Sequence, residues 1–356
     1  MSLRDRLIAE IAQGGPISVA QYMTACLHDP AEGYYATRPA LGETGDFTTA
    51  PLVSQMFGEL VGVWAVACWT LMGQPSTVRL VEMGPGDGTL MADILRAARM
   101  APGFLDAAEV WLVETSPPLR AVQKSRLGER PRWAARLADI PEGAPLILVA
   151  NELLDCLPAR QFVRTTVGWC EQLVGLDADG CLAFTLNPTP TAGLLPDAPP
   201  GAVFEQSAAQ DALGAELGGR LVRDGGAALL VDYGSDAPGF GDTLQAVRRH
   251  AKVDPLDAPG EADLTVHADF PAVMAAARAE GADAAVLTQA QFLARMGVGL
   301  RAEALLAARP DKAPMIGRQL NRLVAADQMG ELFKACCLHS PGPNATNWSP
   351  PAFEDA

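Results

Sequence analysis

Hydrophobic positions change their spacing near residue 76. Before it, apolar residues recur every three to four positions at 1–15 and 17–29, and the run from Leu52 to Gly73 is apolar almost all round. The first spacing predicts amphipathic helices. The second predicts a helix buried in a core rather than in a membrane, because Glu59 interrupts it. We therefore predict an N-terminal helical region over residues 1–75.

From Val78 onward, short and continuously apolar runs alternate with helical segments. The first four such runs lie at 78–83, 110–114, 146–150 and 227–233. Strands that are covered on both faces have this composition, so the pattern predicts an α/β fold built on a parallel sheet.

The rest of the chain completes the predicted domain organisation. Residues 161–186 alternate like a hairpin, residues 206–222 are helical, a long loop follows Gly234, and further strands are predicted at 284–288 and near 332–338. We predict one domain over 76–340 with insertions at about 156–225 and 235–268, followed by a loose tail at 341–356.

Composition narrows the class of protein. The chain has 356 residues, of which 49% are hydrophobic and 19% charged, which excludes overall disorder. Its 27 basic and 42 acidic residues give a net charge of −15, which argues against a nucleic-acid partner. No apolar run reaches the roughly 20 residues that span a bilayer, and no signal or transit peptide is evident. We therefore expect a cytoplasmic protein without a membrane span.

Cysteine and histidine positions give no indication of a metal site. The seven cysteines are scattered without a C-x-x-C pair, and the four histidines lie far apart. Adjacent Cys336 and Cys337 are interpreted as small buried hydrophobes of a strand, which fits a reducing compartment.

The strongest chemical signal is the sequence VEMGPGDGT at 81–89. A predicted strand ends at Glu82, and Gly84, Gly86 and Gly88 lead into a helix that is predicted to begin near Thr89. Glycines at alternate positions let the backbone approach a ligand closely, and a helix N-terminus presents free N–H groups to it. The G-x-G-x-G spacing differs from the G-x-G-x-x-G of dinucleotide sites and resembles motif I of S-adenosylmethionine-dependent methyltransferases. The alternative is an ordinary tight turn between strand and helix.

Glu114 ends the next predicted strand. An acidic side chain in this position can accept hydrogen bonds from both ribose hydroxyls of a nucleoside. The alternatives are a solvated charge at the end of the strand or a carboxylate at the helix N-terminus beside Pro117.

The strand at 146–150 runs into Asn151, Glu152 and, a few residues later, Asp155. Ligands of open α/β sheets bind at the carboxyl ends of the strands, so these side chains are candidates for the substrate side of the site. A carboxylate there can hold a guanidinium through paired, charge-assisted hydrogen bonds. The alternatives are that Glu152 caps a following helix and that Asp155 is a charge in the first turn of that helix.

These residues, taken with other segments, resemble a known family. The chain is similar to the complex I assembly factor 7 type of protein arginine methyltransferase, which has many bacterial relatives. The matching segments occur in family order over about the whole chain: 45–64, 82–96, 112–123, 150–162, 229–234, 260–270 and 329–338. Asp87 departs from the pattern, because Arg is expected there in many members.

The resemblance implies a class I S-adenosylmethionine-dependent methyltransferase, with a Rossmann-like sheet of seven strands whose last strand is antiparallel, and an additional helical region. It implies S-adenosylmethionine as cofactor. The cofactor residues that it implies are Glu82, Gly84, Pro85, Gly86, Gly88 and Glu114, with Asp46 and Gln55 over the cofactor or at the substrate entrance. The implied catalytic residues on the substrate side are Asn151, Glu152 and Asp155.

The reaction that the resemblance implies is methylation of an arginine in a protein substrate, in the eukaryotic family a complex I subunit during assembly. Two other functions stay open at this point. One is a non-catalytic assembly chaperone that retains S-adenosylmethionine binding, and the other is methylation of a small molecule.

Overall fold

The structure is a computed structural model that describes residues 1–37, 49–192, 195–341 and 348–355. The chain forms two compact units. One comprises Met1–Ala40, Leu154–Asp211 and Ala237–Asp269, and the other comprises Leu41–Leu153, Ala212–Asp236 and Phe270–Ala356. The predicted domain boundaries after residues 75 and 340 stay a prediction.

Helices occur in both units. Within the described ranges the α-helices are α1 (Leu3–Gly14), α2 (Val19–His28), α3 (Tyr34–Thr37), α4 (Ala50–Val53), α5 (Gln55–Leu71), α6 (Thr89–Ala97), α7 (Pro102–Ala107), α8 (Pro117–Leu127), α9 (Ala208–Asp224), α10 (Phe270–Ala279), α11 (Gln289–Arg295), α12 (Val298–Ala308), α13 (Ala313–Val324) and α14 (Met329–Leu332). Short 3-10 helices lie at Ala98–Met100, Leu137–Asp139 and Pro310–Lys312.

Strands likewise occur in both units. They are β1 (Ile17–Ser18), β2 (Val78–Met83), β3 (Ala108–Val113), β4 (Arg132–Ala134), β5 (Leu146–Asn151), β6 (Arg160–Thr165), β7 (Gly168–Leu176), β8 (Leu182–Leu186), β9 (Val203–Gln206), β10 (Gly226–Ser235), β11 (Gln245–Arg248), β12 (Ala251–Val253), β13 (Asp263–Thr265), β14 (Ala268–Asp269), β15 (Asp283–Thr288) and β16 (Phe333–His339).

The unit that contains Leu41–Leu153 is built on a sheet whose continuous path has seven strands, in the order β4–β3–β2–β5–β10–β16–β15. The five strands from β4 to β10 are parallel, and β16 runs antiparallel to both of its neighbours. The continuously apolar runs have become buried strands, as β5 and β10 show most clearly. The prediction of a class I methyltransferase fold with an antiparallel last strand is confirmed.

The chain reverses its direction across this sheet at β2. It proceeds outward from β2 to β3 and β4 and then returns to the other side of β2 as β5. In such sheets, ligands bind in the crevice at the carboxyl ends of the strands where the order reverses. The topology therefore points to the loops after β2 and β5.

Predicted helix 52–73 is two helices. Ser54 interrupts it with an extended backbone, and its hydroxyl accepts a hydrogen bond from the Met56 N–H at 3.2 Å, so Ser54 is the N-cap of α5. Residues of α5, such as Trp64 and Cys68, are fully buried in the core, as predicted for this segment. No helix in the described parts of the chain is long and apolar enough to cross a membrane.

The unit that begins at Met1 contains two antiparallel sheets. The predicted hairpin is part of the larger one, ordered β1–β7–β6–β9 with β8 also paired to β7. The smaller sheet has the order β12–β11–β13, and its strands β11 and β12 lie in the stretch after Gly234 that was predicted as a long loop, so that prediction is wrong. Its strands have only three or four residues, too few for an alternating pattern to stand out in sequence.

Residues 348–355, within the predicted loose tail, pack against α11. The Phe353 side chain is 3% exposed, with its ring centroid 5.9 Å from that of Phe292. Arg295 Nη1 donates to the Ala352 carbonyl oxygen at 2.6 Å. Cys336 and Cys337 are fully buried free thiols in β16, as predicted.

Candidate functional site

The register of the sheet places the candidate residues in one row. Met83 pairs with Val113 on one side and with Ala150 on the other. Gly84, Glu114 and Asn151 each follow these paired residues directly, so the three lie side by side at the carboxyl edge of β3, β2 and β5.

The glycine loop joins this row to α6. Gly84, Gly86 and Gly88 have φ values of +64°, +51° and +81°, which residues with a Cβ rarely adopt. A Cβ on Gly88 would also lie 3.3 Å from Leu127 Cδ1. The Gly88 N–H donates to the Pro85 carbonyl at 2.8 Å and closes the turn. The loop therefore needs glycine for its own conformation, apart from any ligand.

Asp87 is the residue that departs from the family pattern. It has one partner at the start of α6 and one in α8. Its Oδ1 accepts from the Thr89 N–H at 2.9 Å, at the start of α6. Its Oδ2 lies 2.8 Å from Arg126 Nη2. The extra negative charge is thus paired, and the glycine conformations are retained.

Glu82 is 3% exposed, at the end of β2 and below the loop. Its carboxylate accepts from the Met91 backbone N–H in the first turn of α6, while Oε2 has no hydrogen-bond partner among the described residues. Burial, together with the nearby Asp87 charge, raises the pKa of Glu82 well above its usual range.

Glu114 is held at both its side chain and its backbone. Its Oε1 accepts from the Ser116 N–H at 2.7 Å, and its Oε2 accepts from Gln123 Nε2 at 3.2 Å. The Glu114 carbonyl accepts from Arg120 Nε at 2.8 Å. A carboxylate has about four acceptor positions, so two of them stay available for hydroxyl donors.

Asn151 and Glu152 form a linked pair after β5. Asn151 Nδ2 donates to Glu152 Oε1 at 3.1 Å, and the Ala50 N–H donates to the same oxygen at 3.3 Å. The buried Oδ1 of Asn151 has no hydrogen-bond partner among the described residues. Glu152 has φ +52°, a conformation that costs energy for a residue with a Cβ and that clusters at functional sites.

No helix follows Glu152, so the two helix-cap alternatives are wrong. Residues 152–157 form turns, with the Leu157 N–H donating to the Leu154 carbonyl at 3.1 Å, and Pro158 leads into β6. Pro158 and the start of β6 at Arg160 prevent a helix from extending beyond this point.

The other predicted site residues are placed as follows. Asp155 is 6% exposed and belongs to the unit that begins at Met1, whereas Asn151 and Glu152 belong to the sheet unit. Gln55 is exposed in the first turn of α5. Asp46 lies outside the described residues.

Comparison with known proteins decides the family. Residues 60–288 match the sequence pattern of a family described as S-adenosyl-L-methionine-dependent methyltransferases. The mitochondrial protein arginine methyltransferase NDUFAF7 of Danio rerio is 36% identical, over 94% of this chain and 86% of its own length. Its Mus musculus and Homo sapiens counterparts are 37% and 35% identical, over 92% and 93% of this chain and 82% of theirs. The chain belongs to this methyltransferase family.

Solved structures agree on the fold and on the cofactor of the methyltransferase. A Burkholderia thailandensis protein crystallised with S-adenosyl-homocysteine has a TM-score of 0.84 and 29% identity, covering 99% of this chain and 94% of its own. A native crystal structure of a protein of the same superfamily and organism has a TM-score of 0.84 and 28% identity, covering 98% and 93%. The cofactor is S-adenosylmethionine, as predicted.

The side chains at this carboxyl edge of the sheet fit S-adenosylmethionine. S-adenosylmethionine carries a positive sulfonium and a positive ammonium group. The edge of the sheet presents the carboxylates of Glu114 and Glu152 and the buried carboxyl of Glu82, whose Oε2 has no hydrogen-bond partner among the described residues. Acceptor groups and negative charge predominate where a cationic ligand would lie. Among the described residues, no cluster of His, Cys, Asp or Glu is arranged to hold a metal ion.

Two residues of the methyltransferase that contact this site were not singled out in the sequence, namely Arg120 and Gln123. A signal for Gln123 exists, because it occupies a core position of α8, four residues after buried Leu119. A fully buried glutamine at an apolar position of a helix indicates that its amide has specific partners.

Proposed function

We propose that the methyltransferase transfers a methyl group to an arginine guanidinium of a protein substrate. The observation that carries the proposal is the acceptor pair after β5, in which the Glu152 carboxylate is joined to Asn151, whose buried Oδ1 lacks a partner among the described residues. The names of the curated relatives, which are protein arginine methyltransferases, support the same acceptor group.

The chemistry of the pair suits a guanidinium. Arginine offers five N–H donors in a planar fork and accepts no hydrogen bond. Asn151 donates through Nδ2 to Glu152 Oε1, which leaves its buried Oδ1 as an acceptor. Glu152 adds a negative charge, so the pair can orient the attacking nitrogen and offset positive charge on the substrate. Asp155, a few residues along the chain, is proposed as a second carboxylate on the substrate side.

The cofactor residues belong to the same proposal. S-adenosylmethionine supplies an electrophilic methyl group on sulfur. Its amino-acid part is proposed to lie against the backbone of the loop Gly84, Pro85, Gly86 and Gly88, above Glu82. Glu114 is proposed to accept the two ribose hydroxyls, and Asp46 and Gln55 to cover the cofactor or line the substrate entrance.

The substrate is proposed to be a protein that resembles a complex I subunit, so that methylation would support assembly of a respiratory complex in the bacterial cytoplasm. The resemblance noted in the sequence supports this choice. The acidic net charge of −15 fits a partner that carries a basic, arginine-containing segment.

The experiment compares proteins from a strain that lacks the gene with those from its parent, by mass mapping of methylated residues. The proposal predicts an arginine that is methylated in the parent only and that the purified protein methylates in the deletion extract. Cofactor binding without transfer to any protein would favour the assembly chaperone instead. Transfer confined to the low-molecular-weight fraction would favour a small-molecule methyltransferase.

A further inference from the structure

Gln123 of α8 has no exposed surface and connects three parts of the cofactor edge. Its Nε2 lies 2.7 Å from the Gly86 carbonyl oxygen and 3.2 Å from Glu114 Oε2. Its Oε1 accepts from Trp133 Nε1 at 2.8 Å. One amide thus contacts the glycine loop after β2, the carboxylate after β3 and an aromatic residue of β4.

The orientation of this amide is determined by its partners. Gly86 O and Glu114 Oε2 can only accept, and Trp133 Nε1 can only donate, so the amide nitrogen must face the first two and the amide oxygen the third. All donor and acceptor atoms of the Gln123 amide are engaged in this arrangement. A buried, fully satisfied amide is costly to rotate, because rotation would leave several polar atoms without partners.

Arg120 strengthens the same connection from one turn earlier on the same face of α8. Its Nε donates to the Glu114 carbonyl at 2.8 Å, and its Nη2 donates to the Ala134 carbonyl at 3.3 Å. Helix α8 therefore holds the backbone of Glu114 through Arg120 and the carboxylate of Glu114 through Gln123. Residues three apart on a helix lie on one face, which makes this double contact possible.

We propose that Gln123 is a positioning residue of the cofactor site, which sets the Glu114 carboxylate at a fixed place relative to the glycine loop. The inference rests on the proposed ribose contact of Glu114. Gln123 acts through Glu114 rather than by binding the cofactor itself. Both N–H groups of its Nε2 are already donated, one to the Gly86 carbonyl and one to Glu114 Oε2.

A double-mutant cycle on S-adenosyl-homocysteine affinity tests this role, with calorimetry as the measurement. Gln123→Met keeps the volume and removes both halves of the amide, and we expect it to weaken binding about fivefold. In the Glu114→Ala background, the same change should alter affinity by less than about twofold, since the group that Gln123 positions is gone. Additive effects of the two changes would overturn the positioning role.

Gln289→Met is the matched control. Gln289 is also fully buried in the sheet unit, and its Nε2 donates to the Leu323 carbonyl at 2.8 Å, away from the glycine loop. It should leave the affinity for S-adenosyl-homocysteine unchanged, and it should lower the melting temperature less than Gln123→Met, because Gln289 Oε1 has no hydrogen-bond partner among the described residues. Equal losses of affinity in both variants would reduce the Gln123 effect to general destabilisation and overturn the proposal.

Gln123→Glu provides a second readout that does not depend on the methionine variant folding. When ionised, the new carboxyl cannot donate to Glu114, and when protonated it can donate one hydrogen bond. Burial beside Glu114 should raise its pKa, so affinity for S-adenosyl-homocysteine should be low near pH 8 and recover toward pH 6. A profile parallel to that of the unmodified protein would contradict the inference.

The outcomes separate this inference from the proposed function. If Glu114→Ala leaves the affinity unchanged, the ribose contact is wrong and the role of Gln123 falls with it. If Glu114→Ala weakens binding but the cycle is additive, only the role of Gln123 is wrong. Neither result bears on arginine as the acceptor, which the methyl mapping tests separately.

Discussion

Replacing Glu152 by glutamine removes one negative charge at the end of β5 and changes the volume of the side chain very little. In the structure, Glu152 Oε1 accepts from Asn151 Nδ2 at 3.1 Å and from the Ala50 N–H at 3.3 Å. An amide oxygen can accept the same two hydrogen bonds, and a glutamine adopts the φ of +52° about as readily as a glutamate. The variant therefore keeps the shape of the site and tests its charge.

The expected loss is confined to transfer. A hydrogen bond to a charged group contributes about 1.5–3 kcal/mol. Glu152 is proposed to make such a bond to the acceptor guanidinium and to hold its nitrogen in position for attack on the methyl group. We expect methyl transfer to fall by about 10²-fold, or roughly 2.7 kcal/mol of barrier. S-adenosylmethionine affinity should stay within about twofold, because Glu152 is assigned to the substrate side.

The assay is transfer of labelled methyl groups to proteins from the deletion strain, with cofactor calorimetry and thermal melting of the same preparations. Glu59→Gln is a control for loss of a partly buried carboxylate, since Glu59 Oε2 pairs with Arg301 Nε at 2.8 Å between α5 and α12. The control should melt earlier and transfer normally. Near-normal transfer by the Glu152 variant would refute the catalytic role.

Three further changes test the cofactor side. Gly86→Val puts a branched residue at φ +51°, and calorimetry should show an affinity for S-adenosylmethionine at least about tenfold lower. Unchanged affinity in a folded variant would show that the loop is not part of the cofactor site. Glu114→Ala should weaken S-adenosylmethionine and S-adenosyl-homocysteine alike by about 2–3 kcal/mol, since both carry the ribose, and clearly unequal losses would contradict the contact. Burial raises the pKa of Glu82, so the Glu82 carboxyl binds its proton more tightly in the folded state than in the unfolded state. The contribution of Glu82 to stability should therefore decline as the pH rises above 4.5, the ordinary pKa of a glutamate. Denaturant titrations of Glu82→Gln should lack that part of the decline, and parallel curves for the two proteins would count against the shift.

The sheet and its helices were largely determined by local sequence. Apolar runs such as those of β5 and β10 have no polar positions that could face solvent, so only a sheet covered on both faces accommodates them. The glycines at 84, 86 and 88 predict the loop after β2, because few other residues adopt its positive φ values. These features depend on neighbours in the chain, and they could be predicted.

Features set by single hydrogen bonds or by short segments were harder to predict. Ser54 divides a continuous apolar segment into two helices by capping the second one, and the spacing of apolar residues gives no sign of this break. Strands β11 to β13 are too short to show alternation, and the missing helix after Glu152 is a consequence of where the chain must go next.

For the site, sequence determined which chemical groups are available, and the tertiary structure decided how they are held. Glu82, Glu114 and Glu152 could be named because each stands at the end of a recognisable strand or shortly after it. Only the parallel register brings Gly84, Glu114 and Asn151 into one row, and only the packing of α8 shows that Gln123 joins the loop to Glu114. The physical reason is that these contacts join residues from 9 to 67 positions apart, and the spacing of hydrophobic residues within one segment carries no information about pairing between segments.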